Sequence, residues 1–128
     1  EFFQTMHRGL EKVNSPESQF RLIWSNMWNY GVDNPHKFKF IQQFHHSPFA
    51  TEIKEDPAVR DVIDQTGQSI QASIDAGILK NIPIELHMNN IYHLIIGLVE
   101  LIWQNPELRT DNTFIEQAWE CFWDCHKV

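Results

Sequence analysis

Two stretches near the C-terminus, residues 84–103 and 112–126, are apolar around more of their circumference than one side of a helix requires. A helix packed on a single core needs an apolar stripe a little over roughly 100° wide. Set out at about 100° per residue, the first stretch is apolar over about 220°. Leu94 and Leu101 form one edge, Ile91, Ile95, Leu98 and Ile102 the centre, and Tyr92, Ile96, Val99 and Trp103 the other edge. Asn89, Asn90, His93, Glu100 and Gln104 make a narrow polar strip. The second stretch spreads Phe114, Ile115, Ala118, Trp119, Cys121, Phe122, Trp123 and Cys125 over about 200°. Leaving the surplus in water costs about 25 cal/mol per Å², and each Trp or Phe presents roughly 150–250 Å². Two adjacent antiparallel helices that each keep a second apolar face satisfy it by forming a four-helix bundle with a copy of themselves. The expected pairing residues are Ile95, Leu98, Val99 and Ile102 on one helix and Ile115, Ala118, Trp119 and Phe122 on the other. Which edge of each arc meets the twin stays open. The alternative is that the wide arcs mark central helices wrapped by the rest of the chain.

Punctuation cuts the remainder into helix-sized pieces. Residues 1–13 place Phe2, Phe3, Met6, Leu10 and Val13 close to one stripe. Ser15-Pro16-Glu17 supplies an N-cap, a first-position Pro and an early acid. Phe20, Ile23, Trp24, Met27, Trp28 and Tyr30 then cover one side, and Gly31 is expected to end that helix. Asn34-Pro35 repeats the start signal, and Phe38, Ile41, Phe44 and His45 follow at helical spacing before Ser47-Pro48. A single turn or small helix is expected over 49–55. Asp56-Pro57 opens a longer helix with Val59, Val62, Ile63, Thr66, Ile70 and Ile74 on one side, closing near Gly77. Residues 78–83 read as a tight connection. Asn105-Pro106 breaks the long apolar helix, and Asp111 or Asn112 caps the last one. No run alternates as a strand with a hairpin turn. The predicted fold class is all-α, a bundle of about six helices in one domain over residues 1–128.

The 128 residues carry 10 Lys and Arg against 17 Asp and Glu, a formal charge of −7. The scattered cations form no polyanion-binding cluster, so neither DNA nor an anionic membrane is an expected partner of this polypeptide by itself. No eighteen-residue apolar window, leader or Asn-x-Ser/Thr acceptor is present, and a cytoplasmic location is expected. A start at Glu1 rather than Met suggests a fragment or processed chain. Cys121 and Cys125, four apart on a helix, hold their Cβ atoms about 5–6 Å apart, beyond the roughly 3.5–4.5 Å of a disulfide. Reduced thiols are expected.

Seven histidines raise the question of a metal. Cys125 and His126 point about 100° apart on a helix, so they and Cys121 serve a shared ion poorly. His45-His46 has the same fault, and neither Glu-x-x-His nor His-Glu-x-x-His occurs. Gly-x-Ser-x-Gly, a Gly-rich phosphate loop and Cys-x-x-Cys are equally missing. The reading is no enzyme, no cofactor and no structural metal.

One set of stretches begins with Phe20-x-x-Ile23-Trp24 through Tyr30. Asn34-Pro35-x-x-Phe38-x-Phe40-Ile41-x-Gln43-Phe44 and Ser47-Pro48 follow. Gly77-Ile78-Leu79-Lys80-x-Ile82-Pro83, Leu94-Ile95-Ile96-Gly97-Leu98 and Ala118-Trp119 complete it. In order and spacing these pieces resemble the C-terminal ligand-binding and dimerisation domain of TetR/AcrR-type transcriptional regulators. The resemblance implies a homodimeric, repressor-type protein that meets DNA through a helix-turn-helix domain missing from this chain. Arg8 and Lys12 alone make no recognition helix. It further implies a small, mainly apolar effector that favours one spacing of the two DNA readers. A near-complete switch needs a preference of about 5.5 kcal/mol between states.

By that resemblance the effector lies between the helices that begin at Pro16, Pro57 and Ile84. Trp24, Met27, Trp28, Phe44, Ile63, Thr66, Ile70, Ile74, His87 and Ile91 are the expected lining. Aromatics and Met give an adaptable apolar wall, and Thr66 or His87 would orient the ligand by hydrogen bonds. Gly67 marks close packing or room for a ligand. Taken singly, each of these residues fits plain core packing as well. A helical protein–protein interaction module without a pocket is the alternative function.

Overall fold

The computed structural model describes residues 2–45 and 56–128. Within them lie six α-helices: α1 (Phe2–Met6), α2 (Pro16–Asp33), α3 (Pro35–His45), α4 (Pro57–Asp75), α5 (Ile84–Gln104) and α6 (Asn112–His126). Two 3₁₀ turns, Leu10–Lys12 and Pro106–Thr110, join them. Among the described residues no strand forms, and an isolated bridge between Leu79 and Lys127 is all the β structure present. The all-α expectation holds. The turn expected over 49–55 lies outside the described residues.

The helix starts follow from their caps. Ser15 Oγ accepts from the Ser18 N–H at 3.1 Å. Asp56 accepts from the Ala58 N–H at 2.9 Å, and Asp111 from the Phe114 N–H at 3.1 Å. Each occupies one of the donors that a helix leaves unpaired in its first turn, at about 1 kcal/mol apiece. Pro16 and Pro57 fill first-turn positions where a missing N–H costs nothing.

Two boundaries differ from expectation. The N-terminal stretch is not one helix: Gly9, at φ +79°, breaks it between α1 and the first 3₁₀ turn. Residues with a Cβ rarely adopt that conformation, so glycine permits the kink. The Asn26 amide grips the chain on both sides of the kink, donating to Met6 O at 3.1 Å and Arg8 O at 2.9 Å. Gly31 does not end α2, which continues to Asp33. A Cβ at Gly31 would run into the Phe38 ring and meet Val99 Cγ2 at 2.9 Å. Glycine stands there because α3 and α5 close on that point.

The core gathers where α2 crosses α5 and α6. Trp24, Trp28, Phe38, Ile70, Leu79, Ile95, Leu98, Val99, Ile102, Trp119, Phe122 and Trp123 form one buried cluster. Trp119 and Trp123 stack with ring centres 5.6 Å apart, and Trp24 meets Trp119 at 5.5 Å. Polar braces fix α2 at both ends. Arg21 pairs with Glu116, Nη1 to Oε2 at 3.2 Å, and lies 5.5 Å from the Trp119 ring centre. Arg109 donates to Asp33 at 2.6 Å and to Asn29 at 3.0 Å. Those guanidinium hydrogen bonds hold the Asp33 and Glu116 carboxyls below their ordinary pKa. Solvent screens partly exposed pairs of this kind, so their value lies in orientation.

Candidate functional site

The wide apolar arc of α5 divides into two parts. Ile95, Val99 and Ile102 are at most 2% exposed, and Leu98 is also buried. On α6, Trp119 and Phe122 are buried in the same cluster, with Ile115 and Ala118 half-buried against it. Six of the eight expected pairing residues are therefore consumed by the subunit's own core. The reason is geometric: α2 lies across the centre of both arcs.

What remains uncovered is one edge of each arc. Leu94 and Leu101 are 42% and 40% exposed, and Leu86 extends the same strip. Between them sits Gly97, where an added Cβ would meet nothing within 4 Å. A glycine inside an exposed helix costs about 1 kcal/mol relative to Ala, and no contact among the described residues calls for it. On α6 the matching edge is Phe114, Ala118, Cys121 and Cys125, with Cys121 exposed and the others half-buried. The Asn90 amide lies 3.7 Å from Cys125 Sγ, which sets the register of the antiparallel pair. Equal steps along both helices then bring Leu94 beside Cys121, Gly97 beside Ala118 and Leu101 beside Phe114. Exposed or half-buried apolar residues therefore edge both helices, with the small residues Gly97 and Ala118 among them.

The expected effector lining is scattered in burial. Trp24 and Ile70 are core residues, and Trp24 faces Trp119 and Phe122 of α6 rather than α4. His87 is fully buried with both nitrogens engaged inside the protein: Nε2 lies 2.9 Å from Lys80 O, and Nδ1 lies 2.8 Å from His126 Nδ1. Met27, Ile74 and Ile91 are half-buried against the core, and Phe44, Ile63 and Thr66 are also half-buried. Trp28 is buried, and its Nε1–H has no acceptor. An orphan donor of this kind costs about 1–3 kcal/mol, which an acceptor on a bound molecule would offset. Gly67 is not tightly packed, since a Cβ there would approach Ile84 only to 4.0 Å.

Two open clefts are formed by described residues elsewhere. One, of about 390 Å³, is lined by Tyr30, His36, Lys37, Phe40 and Ile41. The other, of about 740 Å³, runs between α2 and α6 past Glu17, Arg21, Glu116, Glu120 and Asp124. Neither includes any of the ten expected lining residues. Among the described residues, no three His, Cys, Asp or Glu side chains gather as a metal centre would require.

Sequence reasoning missed the His87–His126 pair. The signal was present: His126 continues the inward strip of Trp119 and Phe122, and His87 lies four residues before Ile91 and eleven before Leu98. Histidines on the core side of two neighbouring helices invite pairing.

An antiparallel pair, α5 and α6, crossed on its inner side by α2 is the frame of this helical domain. The chain matches the tetracyclin repressor-like, C-terminal domain family over residues 16–123, and it belongs to that family. A protein from Shewanella sp. PV-4 described as a tetR family transcription regulator shares its fold at a TM-score of 0.79 with 20% identity, covering 99% of this chain and 70% of the other. A TetR family transcription regulator from Marinobacter aquaeolei VT8 gives 0.77 with 16% identity, covering 98% and 65%. A protein from Lactobacillus plantarum described as a transcription regulator gives 0.64 with 21% identity, covering 97% and 64%. No curated protein sequence matches the chain. The chain thus spans between 64% and 70% of the length of these structural relatives. No helix among the described residues is long and apolar enough to cross a membrane.

Proposed function

We propose that this chain is the effector-binding and dimerisation domain of a homodimeric, ligand-responsive transcription regulator of the repressor type. In this reading it acts in the cytoplasm, and DNA is met through a domain outside the chain. The observation that carries the dimer is the uncovered strip Leu94, Gly97 and Leu101 beside Phe114, Ala118, Cys121 and Cys125. A second copy, related by a two-fold axis, presents the same strip and closes a four-helix bundle. Gly97 and Ala118 let the two helix pairs approach closely, which accounts for a mid-helix glycine that touches no side chain among the described residues.

The effector belongs between α2, α4 and α5, against Met27, Phe44, Ile63, Thr66, Ile74 and Ile91, with the Trp28 N–H as a donor at its edge. A small, mainly apolar molecule with one hydrogen-bond acceptor suits that set.

Sedimentation equilibrium and native mass spectrometry of the chain test the dimer. The expected particle has twice the 15.2 kDa chain mass. Leu94→Glu combined with Leu101→Glu is expected to give a monomer with its helical circular dichroism intact. Phe122→Glu, by contrast, puts a charge in the core and is expected to unfold the protein. A parent protein that stays at 15.2 kDa at high concentration sinks the reading. So does a double variant that remains a tight dimer. A thermal-shift and Trp-fluorescence screen of apolar compounds tests the effector, and no saturable response would remove that part alone.

A further inference from the structure

The last turn of α6 is held by groups from the connection between α4 and α5. The Lys80 N–H donates to His126 O at 2.7 Å, and its Nζ donates to Asp124 O at 2.6 Å and Cys125 O at 3.0 Å. The Val128 N–H donates to Ile78 O at 3.0 Å, beside the Leu79–Lys127 bridge. At the centre of this clasp the His87 and His126 rings face each other, both with no solvent exposure.

Their hydrogens can be assigned by elimination. Lys80 O can only accept, so His87 Nε2 carries a hydrogen. In a neutral His87, Nδ1 is then a lone pair. The 2.8 Å contact between the two Nδ1 atoms needs one hydrogen, and it comes from His126. His126 Nε2 is left as a bare lone pair, and it is indeed buried with no partner. With both rings neutral the two tautomers are fixed, and the pair has one vacant position for a proton.

We propose that the His87–His126 pair is an acid-released latch that fastens the last turn of α6 to the 78–83 connection.

A proton arriving from water must end on His126 Nε2, whichever ring then carries the charge, because the other three nitrogen positions are filled or shared. The bridging hydrogen persists, but the pair becomes a buried cation with an N–H that has no acceptor. Around it, α2 offers the Phe20 ring at 5.5 Å, and α6 itself offers Phe122 at 5.0 Å. The charges acting on His126 are His87, when protonated, from α5 and Lys80 from the connection, and both oppose a proton. On its own helix, Asp124 and Lys127 are spent on each other at 3.1 Å in solvent. Burial first, then these two positive neighbours, hold the His126 pKa down to about 4. The protonated ring gains an acceptor by turning out to water, which opens the clasp. The latch does not depend on whether a twin covers the Leu94 strip.

Hydrogen–deuterium exchange, corrected for the intrinsic pH dependence, tests this on the whole chain. With an open-state pKa of 6.5 and a closed-state value of about 4, local opening of 78–83 and 121–128 grows roughly twentyfold from pH 7 to pH 5. Protection of α2 and the middle of α5 is expected to fall less. His126→Phe keeps a ring of similar size without a titrating nitrogen, and the acid-dependent opening is expected to vanish. Should that variant fail to fold, long-range ¹H–¹⁵N spectra of the parent decide: the latch requires Nε2–H on His87 and Nδ1–H on His126 at pH 7. The opposite tautomers, a His126 ring titrating near 6.5, or exchange at the C-terminus that ignores pH would overturn it.

Discussion

Gly31→Ala tests the packing described above at its tightest point. Away from neighbours, replacing a helical glycine by alanine gains about 1 kcal/mol. At Gly31 the new methyl runs into the Phe38 ring and lies 2.9 Å from Val99 Cγ2. Phe38 is 5% exposed and Val99 0%, so neither has solvent to move into. Forcing a methyl into a filled core costs about 1–3 kcal/mol, and two immobile neighbours place this case near the top of that range. The expected net loss is about 2 kcal/mol, equivalent to a melting temperature lower by roughly 8 °C for a domain of this size. Urea unfolding followed by circular dichroism and Trp fluorescence measures it. The same substitution in a Phe38→Ala background finds the ring removed and is expected to be neutral or stabilising. A Gly31→Ala protein as stable as the parent, or the same loss in both backgrounds, would refute the close-approach argument.

Gly97→Ala is expected to do the reverse within the subunit and harm the pair. It should add about 1 kcal/mol of helix stability yet raise the dimer dissociation constant roughly tenfold by sedimentation. A raised melting temperature with unchanged dissociation would remove Gly97 from the interface. Global stability carries its own pH signature. Because the folded His126 pKa lies below the unfolded value of 6.5, its contribution is complete above pH 6.5 and is lost as pH falls to about 4. The expected loss is up to about 3 kcal/mol. His126→Phe should flatten that part of a urea-midpoint profile against pH, and an unchanged slope would count against it.

Local signals were the most legible part of the sequence. Ser15, Asp56 and Asp111 cap helices where an Asx or Ser side chain precedes an apolar-periodic run, because capping depends only on residues within one turn. The surplus on the last two helices was also visible, but not its division. Helical period tells that Ile95 and Leu94 are both apolar, whereas only the placement of α2 decides which one is buried. Gly31 misled for a related reason: glycine as a helix end and glycine as a contact point look alike until Phe38 and Val99 are brought beside it. His87 and His126, 39 positions apart, needed the antiparallel register of α5 and α6 to become neighbours. The lining expected for an effector rests on resemblance, and helical period alone does not tell that Trp24 turns toward α6.

The single amide of Asn26 that holds the backbone before and after Gly9 has a mechanical meaning. It makes the front of the chain a passenger on α2: a roll or slide of that helix is handed directly to α1 rather than dissipated in the kink. α2 is also the element pinned at one end by Arg21 and at the other by Arg109, so its permitted motions are few. A displacement of α2 is therefore expected to carry α1 with it.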